Sequence, residues 1–89
     1  MDNFDYQQIL TNFILQKHKI NEDIAQKIAV EVVRVFFLDI PESEKHRHAM
    51  SFIGELISKG IIRKSEEELV RKIYKETTNY FELISCSIH

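Results

Sequence analysis

The segment from Asn21 to Ile40 constrains the fold of this chain more than any other. Read at about 100° per residue, it predicts a helix with apolar side chains around about two-thirds of its circumference. Only Lys27, Glu31 and Arg34 form a coherent polar strip, at spacings that bring opposite charges together on a helix. Such a helix needs neighbours on most sides. We therefore expect the rest of the chain, together with a second copy or a partner protein, to cover it.

Length and composition predict one small globular domain. A chain of 89 residues buries roughly two-thirds of its extended-chain surface on folding. Its 44% content of hydrophobic residues is too high for a disordered chain. The longest uninterrupted apolar run is only Val35–Leu38, which argues against a transmembrane helix.

Charge, cysteine content and the first residues indicate in which cellular compartment we expect the protein. A formal net charge of −2 gives no general attraction to nucleic acid or to an anionic membrane. Cys86 is the single cysteine, which favours a reducing compartment. The first residues, MDNFDY, lack the basic and apolar blocks of a signal peptide. We therefore expect a cytoplasmic location and no membrane contact.

Few turn signals interrupt the chain, and they divide it into four predicted helices. Pro41 disfavours helical geometry in the residue before it, and Gly60 stands where a glycine often ends a helix. The predicted helices cover about Phe4 to Lys17, Asn21 to Ile40, Ser43 to Lys59 and Ser65 to Ile84. Residues 1–84 thus form a single predicted helical domain, and residues 85–89 a flexible tail. The expected fold class is all-α, a small antiparallel bundle of three to four helices in a dimer.

Polar residues at the helix starts support these boundaries. Asn21 is a good N-cap, and Asp2 and Asn3 are both suitable N-caps for the first helix. Ser65 followed by Glu68 fits the capping box, in which each side chain bonds the backbone of the other residue. We therefore expect Ser65 to mark the start of the fourth helix.

The run from Glu44 to His48 carries two histidines but does not predict a metal site. His46 and His48 lie about 200° apart on a helix, so they cannot share one ion. Each has a glutamate four residues earlier, Glu42 or Glu44, but two ligands do not make a site. His46 shares a helix face with apolar residues, so partial burial and a pH-sensing role stay open.

No catalytic constellation is evident. Cys86 and His89 would need a rigid pocket and a third group to act as nucleophile and base, and a terminal tail offers neither. The acidic residues cluster at predicted helix starts, where the helix dipole explains them. No glycine-rich phosphate loop and no Cys-x-x-Cys pair occurs. We expect a non-enzymatic protein without a metal or a cofactor.

Direct DNA binding is the main alternative. The third and fourth helices could form a helix-turn-helix with basic residues for phosphate contacts. These residues are Arg63, Lys64, Arg71, Lys72 and Lys75. The connection from Gly60 to Ser65 is longer than the tight turn of that motif, and the fourth helix begins with three glutamates that phosphates would repel. Nucleic acid is therefore not the expected partner.

Apolar residues outside the main helical stripes predict an interaction surface. Together they exceed what a small bundle normally leaves uncovered, and large apolar patches mark interfaces. Three of them are phenylalanines, a residue type that interface cores favour. The residues predicted for this interface are Phe4, Leu15, Val30, Phe37, Leu38, Phe52, Ile61 and Ile62, and Leu83 also lies off the stripes.

The order of the predicted helices is similar to that in a known family. Three stretches carry the similarity: the apolar pattern from Ile24 to Phe37, the run from Met50 to Leu56, and Leu69 to Lys72. In these stretches the chain resembles the small enterobacterial regulators of the YmgB/AriR type. The stop at Gly60 and the apolar residues from Ile84 to Ile88 depart from that pattern. The resemblance implies a helical homodimer that regulates signalling or transcription through protein contacts. It carries over no functional residue.

The sequence thus predicts a small regulatory or inhibitory protein that acts through protein–protein contacts. We expect a homodimer with one further protein partner, in a bacterial or phage setting. A dimeric DNA-binding regulator that uses the third and fourth helices is the alternative. An immunity-type or phage-encoded inhibitor of one partner protein is a further alternative.

Overall fold

The computed structural model describes residues 3–87, with Cys86 and Ser87 described by their backbone alone. Within this part of the chain there are four α-helices and no strand, so the all-α class is confirmed. The helices are α1 (Asn3–Lys17), α2 (Glu22–Phe36), α3 (Glu42–Ser58) and α4 (Glu67–Ser87), with a 3-10 turn (Lys64–Glu66) directly before α4. None of the described helices combines the length and the apolar character needed to cross a bilayer.

One apolar core joins all four helices. α1 contributes Tyr6, Leu10 and Ile14, which follow each other at the spacing of one helix face. α2 contacts each of the other three helices and buries a broader face, as the apolar segment predicts. α3 buries only Ile53 and Leu56. The core consists of Tyr6, Leu10, Ile14, Ala25, Ile28, Ala29, Val32, Val33, Ile53, Leu56, Ile62, Val70, Ile73, Tyr74 and Phe81.

The starts of the first two helices agree with the predicted boundaries. α1 covers Asn3–Lys17, one residue more than predicted, and Asp2 lies outside the described residues. The side chain of Asn21 accepts a 2.7 Å hydrogen bond from the amide of Asp23. Asn21 is therefore the N-cap of α2, as the sequence predicts.

The end of α2 differs from the prediction. The helix ends at Phe36 and does not continue to Ile40. The amide of Leu38 donates a 3.1 Å hydrogen bond to the carbonyl of Val35, a tightened last turn that closes many helices. Pro41 then acts as the N-cap of α3. The last apolar residues of the long segment thus form the connection between two helices.

Gly60 ends α3 as predicted, and the turn that it forms also explains why Ile62 is buried. Its φ of 72° lies in the left-handed region that favours glycine. The amide of Gly60 bonds the carbonyl of Ile57 (3.0 Å), and the amide of Ile61 bonds that of Leu56 (2.9 Å), which together form a Schellman motif. The motif turns the chain back onto the core, so Ile62 is only 3% exposed. Ile62 is a core residue, and its assignment to an outer surface was wrong.

The start of α4 is capped at a different residue from the one predicted. Ser65 lies inside the 3-10 turn (Lys64–Glu66), so the capping box with Glu68 is not formed. Instead, Oε1 of Glu66 accepts a 2.8 Å hydrogen bond from the amide of Arg63. The amide of Glu66 donates in return to the Arg63 carbonyl at 2.9 Å. Arg63 is therefore the N-cap of the 3-10 turn that leads into α4.

α4 also continues beyond its predicted end. The helix runs through Ser87, although residues 85–89 were predicted to form a tail. Ser85 is buried, and its hydroxyl donates a 3.2 Å hydrogen bond to the carbonyl of Glu82. Residues 88–89 lie outside the described part of the chain.

The cap geometry makes a prediction that separates the two possible starts of α4. Glu66→Ala removes the acceptor for the Arg63 amide, and we expect it to lower the free energy of unfolding by about 1 kcal/mol. Ser65→Ala removes no cap and should change it by less than about 0.5 kcal/mol. Urea unfolding followed by circular dichroism measures both values. Glu66→Gln keeps an acceptor and is the control. A larger loss for Ser65→Ala would show that α4 starts at Ser65.

Candidate interaction surfaces

Four aromatic rings meet where α1, α2 and α4 converge. Phe81 on α4 is fully buried, and its ring centroid lies 4.8 Å from that of Tyr6 and 4.5 Å from that of Phe36. The Phe37 centroid lies 6.0 Å from Phe81 and 6.3 Å from Tyr6. Aromatic pairs at such distances add about 0.5–1.5 kcal/mol each beyond their burial. We call Tyr6, Phe36, Phe37 and Phe81 the aromatic cluster.

Phe37 is exposed even though it belongs to this cluster. Its side chain is 55% exposed, and Phe4, on the first turn of α1, is 67% exposed. The rings of Tyr6, Phe36 and Phe81 support Phe37 on its inner side. A ring held in this way loses little side-chain entropy when a partner covers its outer side. Phe37 is therefore a pre-ordered apolar contact point.

The eight residues predicted for the interface lie in three different environments. Four are exposed: Phe4, Val30, Phe37 and Ile61. Three are half-buried: Leu15, Leu38 and Phe52, and the eighth, Ile62, is buried. Val30 and Phe52 line one shallow groove between α2 and α3, whereas Phe37 belongs to the aromatic cluster. The prediction of an interface remains a prediction, and the residues chosen for it do not all share one surface groove.

Two exposed leucines complete the apolar surface of α4. Leu83 is 70% exposed, as its place off the inner stripe predicts. Leu69 is 42% exposed. Its neighbour Val70 is only 3% exposed. Nothing in the local pattern distinguishes these two adjacent residues.

A groove of about 390 Å³ lies between α2, α3 and α4. We call it the three-helix groove. Apolar side chains of α2 and α3 line its inner part: Val32, Val35, Phe36, Ala49, Met50 and Ile53. Charged side chains of α3 and α4 line its edges: Glu42, Lys45, His46, Arg71, Lys75 and Glu82. None of the side chains in the first half of α3 is fully buried.

Tyr74 lines the same groove and carries an unusual hydroxyl. The residue is only 8% exposed, and the hydroxyl is buried without a hydrogen-bond partner among the described residues. Burial, and then the nearby Glu31 carboxylate, raise the pKa of Tyr74 above its ordinary value, against the opposite effect of Arg34. A buried polar group without a partner costs about 1–3 kcal/mol. Such a group in a folded protein calls for an explanation.

The histidines do not assemble a metal site among the described residues. His46 is exposed, so the partial burial that its helix face left open is not observed. His18 makes the notable contact: its Nε2 lies 2.8 Å from Oε1 of Glu76 on α4. This hydrogen bond holds the pKa of the Glu76 carboxyl below its usual range. The side chain of Cys86 and all of His89 lie outside the described part.

The basic residues considered for DNA contact are all exposed: Arg63, Lys64, Arg71, Lys72 and Lys75. Two of them share one acid, since Lys64 Nζ lies 2.8 Å and Arg71 Nη2 lies 3.3 Å from oxygens of Glu67. The hydrogen bond from Lys64 lowers the pKa of the Glu67 carboxyl most, which favours its ionised form. Glu67 therefore reduces the positive charge that this face offers to a phosphate.

The aromatic cluster makes a stability prediction. Phe81→Ala removes a fully buried ring, and we expect a loss of about 3–5 kcal/mol in the free energy of unfolding. Phe37→Ala should cost clearly less, because more than half of that side chain is already in water. Denaturant unfolding gives both values, and Phe81→Leu is the control that keeps most of the apolar volume. Equal losses for the two alanine variants would contradict the cluster.

For Tyr74 we predict that a substitution leaves the free energy of unfolding unchanged or raises it. Tyr74→Phe removes a buried hydroxyl without a partner, so we expect unchanged stability or a gain of up to about 1–3 kcal/mol. Thr77→Val is the contrasting variant, because the Thr77 hydroxyl donates a 2.7 Å hydrogen bond to the Ile73 carbonyl. That variant should lose about 1 kcal/mol. Thermal unfolding of both compares them, and a destabilised Tyr74→Phe would mean that the hydroxyl has a partner in solution.

Comparisons of the chain with family models, with curated proteins and with solved structures gave no match. The function therefore has to be inferred from the chain's own surfaces. The aromatic cluster with its exposed Phe37 and the three-helix groove are the two that the described residues define best.

Proposed function

We propose that this protein is a small non-enzymatic regulatory or inhibitory module that acts through protein–protein contacts, as a homodimer. The observation that carries the proposal is the exposed ring of Phe37 on a buried aromatic base. Aromatic residues on well-packed supports are typical of the few residues that dominate binding energy. The exposed ring of Phe4 adds a second apolar contact on α1.

A second copy of the chain is the partner proposed for this surface. Homodimer interfaces are more apolar than the rest of a protein surface, and a net charge of −2 leaves little repulsion between two copies. In a two-fold dimer the same patch serves both copies, so Phe37 of each would face the aromatic cluster of the other. The resemblance to YmgB/AriR-type regulators, which implies a homodimer, stays a prediction.

We also propose that consecutive helices run antiparallel, in a cytoplasmic protein. Tyr6 near the start of α1 contacts Phe37 just after the end of α2, which supports this direction for the first two helices. An immunity-type or phage-encoded inhibitor would use the same fold, with the apolar surface turned towards one target protein. The apolar residues outside the aromatic cluster, such as Val30 and Ile61, offer contacts for such a target.

Sedimentation equilibrium tests the proposed dimer. At micromolar concentration we expect twice the chain mass of 10.6 kDa. Phe37→Ala should weaken association by about tenfold or more, the usual effect of removing a dominant interface residue. Leu69→Ala is the matched control, since Leu69 is an exposed apolar residue at the other end of α4 from Phe81. A monomer at high concentration, or an equal effect of the control, would contradict the proposal.

A dimeric DNA-binding regulator that uses α3 and α4 is the second candidate. The exposed basic residues Arg63, Lys72 and Lys75 favour it. The pairing of Glu67 with Lys64 and Arg71 opposes it, because a phosphate would have to compete with that carboxylate.

Duplex binding decides between the two candidates. We expect no binding tighter than the non-specific range of about 10⁻⁴ to 10⁻⁶ M at physiological salt. Fluorescence anisotropy with a labelled duplex between low and physiological salt measures the affinity. The Arg71→Glu, Lys75→Glu double variant should leave folding intact, because both residues face water. Nanomolar, salt-sensitive binding that the double variant abolishes would make the DNA-binding regulator the better proposal.

A further inference from the structure

A hydrogen bond joins the end of α1 to the middle of α4. His18 follows the last residue of α1, and its Nε2 lies 2.8 Å from Oε1 of Glu76. The His18 side chain is only 16% exposed, and that of Glu76 is 37% exposed. Ion pairs such as that of Glu31 with Arg34 join residues three positions apart on one helix. The contact of His18 with Glu76 joins two helices instead, so it can fix α1 against α4.

The same two helices meet again at a pair of stacked rings. The centroids of Phe13 and Tyr80 lie 4.0 Å apart, and the ring planes are 5° from parallel. Phe13 precedes His18 by five residues, and Tyr80 follows Glu76 by four. The hydrogen bond and the stack are therefore neighbouring contacts, and a change at His18 acts directly on the packing of α1 against α4.

The carboxylate of Glu76 stays charged wherever a histidine changes its charge. The contact with His18, and to a smaller degree the charges of Lys72 and Lys17, hold the pKa of the Glu76 carboxyl below its usual range, against the opposite effect of burial. Histidine usually changes its charge between about pH 5 and 8. Within the pair, only the charge of His18 changes in that range.

Two features of the fold favour the protonated form of His18. The first is the carboxylate of Glu76, which is an opposite charge in direct contact with the ring. The second is the end of α1, where the amide of His18 donates a 2.9 Å hydrogen bond to the carbonyl of Ile14. This places the residue at the negative end of the helix dipole, where a cation is stabilised.

Other groups near His18 set the background against which Glu76 acts. Partial burial of the ring disfavours its charge, and so do neighbouring cations, whereas acids at the start of α2 favour it. The cations are Lys17, Lys19 and Lys72, and the acids are Glu22 and Asp23. Because these groups act in both directions, the effect of Glu76 is measured by comparing proteins that differ only at that residue.

We propose that the contact between His18 and Glu76 is a pH-sensitive latch that holds the end of α1 on α4. Protonated His18 forms an ion pair with the carboxylate, whereas neutral His18 keeps only a weaker hydrogen bond. Since the docked state of α1 favours the protonated ring, the latch is closed at about pH 5.5 and loosens as the pH rises towards about 8. It acts within one chain and does not rest on the proposed dimer.

Nuclear magnetic resonance of the histidine rings in the full chain, between about pH 5 and 8, tests the pair. Glu76→Gln removes the charge and keeps an acceptor, and we expect it to lower the proton affinity of His18 by about threefold. The rings of His46 and His48 on α3 should not respond and are internal controls. Glu68→Gln is the matched control variant, because it removes the same charge about 12 Å away along α4.

Amide hydrogen exchange tests whether the pair holds α1 in place. Exchange of the His18 amide reports opening of the last turn of α1. After correction for the intrinsic effect of pH, we expect its protection to fall about threefold more between about pH 5.5 and 8 in the wild type than in Glu76→Gln. The amide of Lys59, which bonds the Glu55 carbonyl at the end of α3, should behave alike in both proteins.

His18→Gln is a second variant, which serves if Glu76→Gln does not fold. It keeps a donor for Glu76 but cannot take up a proton, so the extra loss of protection at high pH should disappear. The proposal is overturned if the proton affinity of His18 is the same in the wild type and in Glu76→Gln, or if Glu68→Gln lowers it equally. Protection at the end of α1 that depends on pH as strongly in the variants as in the wild type would also overturn it.

Discussion

Phe81 is the side chain at which α1, α2 and α4 meet, and both candidate surfaces depend on how it is packed. Its buried ring lies against Tyr6 and Phe36. Phe36 is the last residue of α2 and Phe37 follows it, so the two rings approach Phe81 from different positions. Phe36 packs against Phe81 and lines the three-helix groove, and Phe37 is left half in water at the edge of the same cluster. The packing around Phe81 thus places Phe36 in the apolar wall of the groove and leaves the ring of Phe37 exposed to a partner.

α3 is the least covered helix, and the groove follows from that. Ile53 and Leu56, in its second half, are its only fully buried residues within the described chain. The Schellman motif at Gly60 and the burial of Ile62 fix this second half against the core. No residue in the first half of α3 is fully buried, although Ala49 packs against the core. Elements with few buried apolar contacts are also where proteins place their binding regions.

Local signals in the sequence predicted the helical class, the central place of α2 and the caps at Asn21 and Gly60, because these depend on neighbours along the chain. The sequence-based predictions were wrong or incomplete where contacts between residues distant in the chain determine the structure. Ile62 is buried in the core, and the cap before α4 pairs Arg63 with Glu66. The contact of His18 with Glu76 joins residues 58 positions apart, which no local pattern predicts. The three-helix groove could not be predicted from the sequence either, because its shape depends on how three helices pack against each other.

That a second copy of the chain covers Phe37 is tested most directly by nuclear magnetic resonance on a mixture of ¹³C-labelled and unlabelled protein. Isotope-filtered spectra of such a mixture report only contacts between different chains. The proposed dimer predicts intermolecular nuclear Overhauser effects from the Phe37 ring protons, and ring resonances that shift on dilution. The absence of these effects at high concentration, together with Phe37 resonances that do not move on dilution, would contradict it.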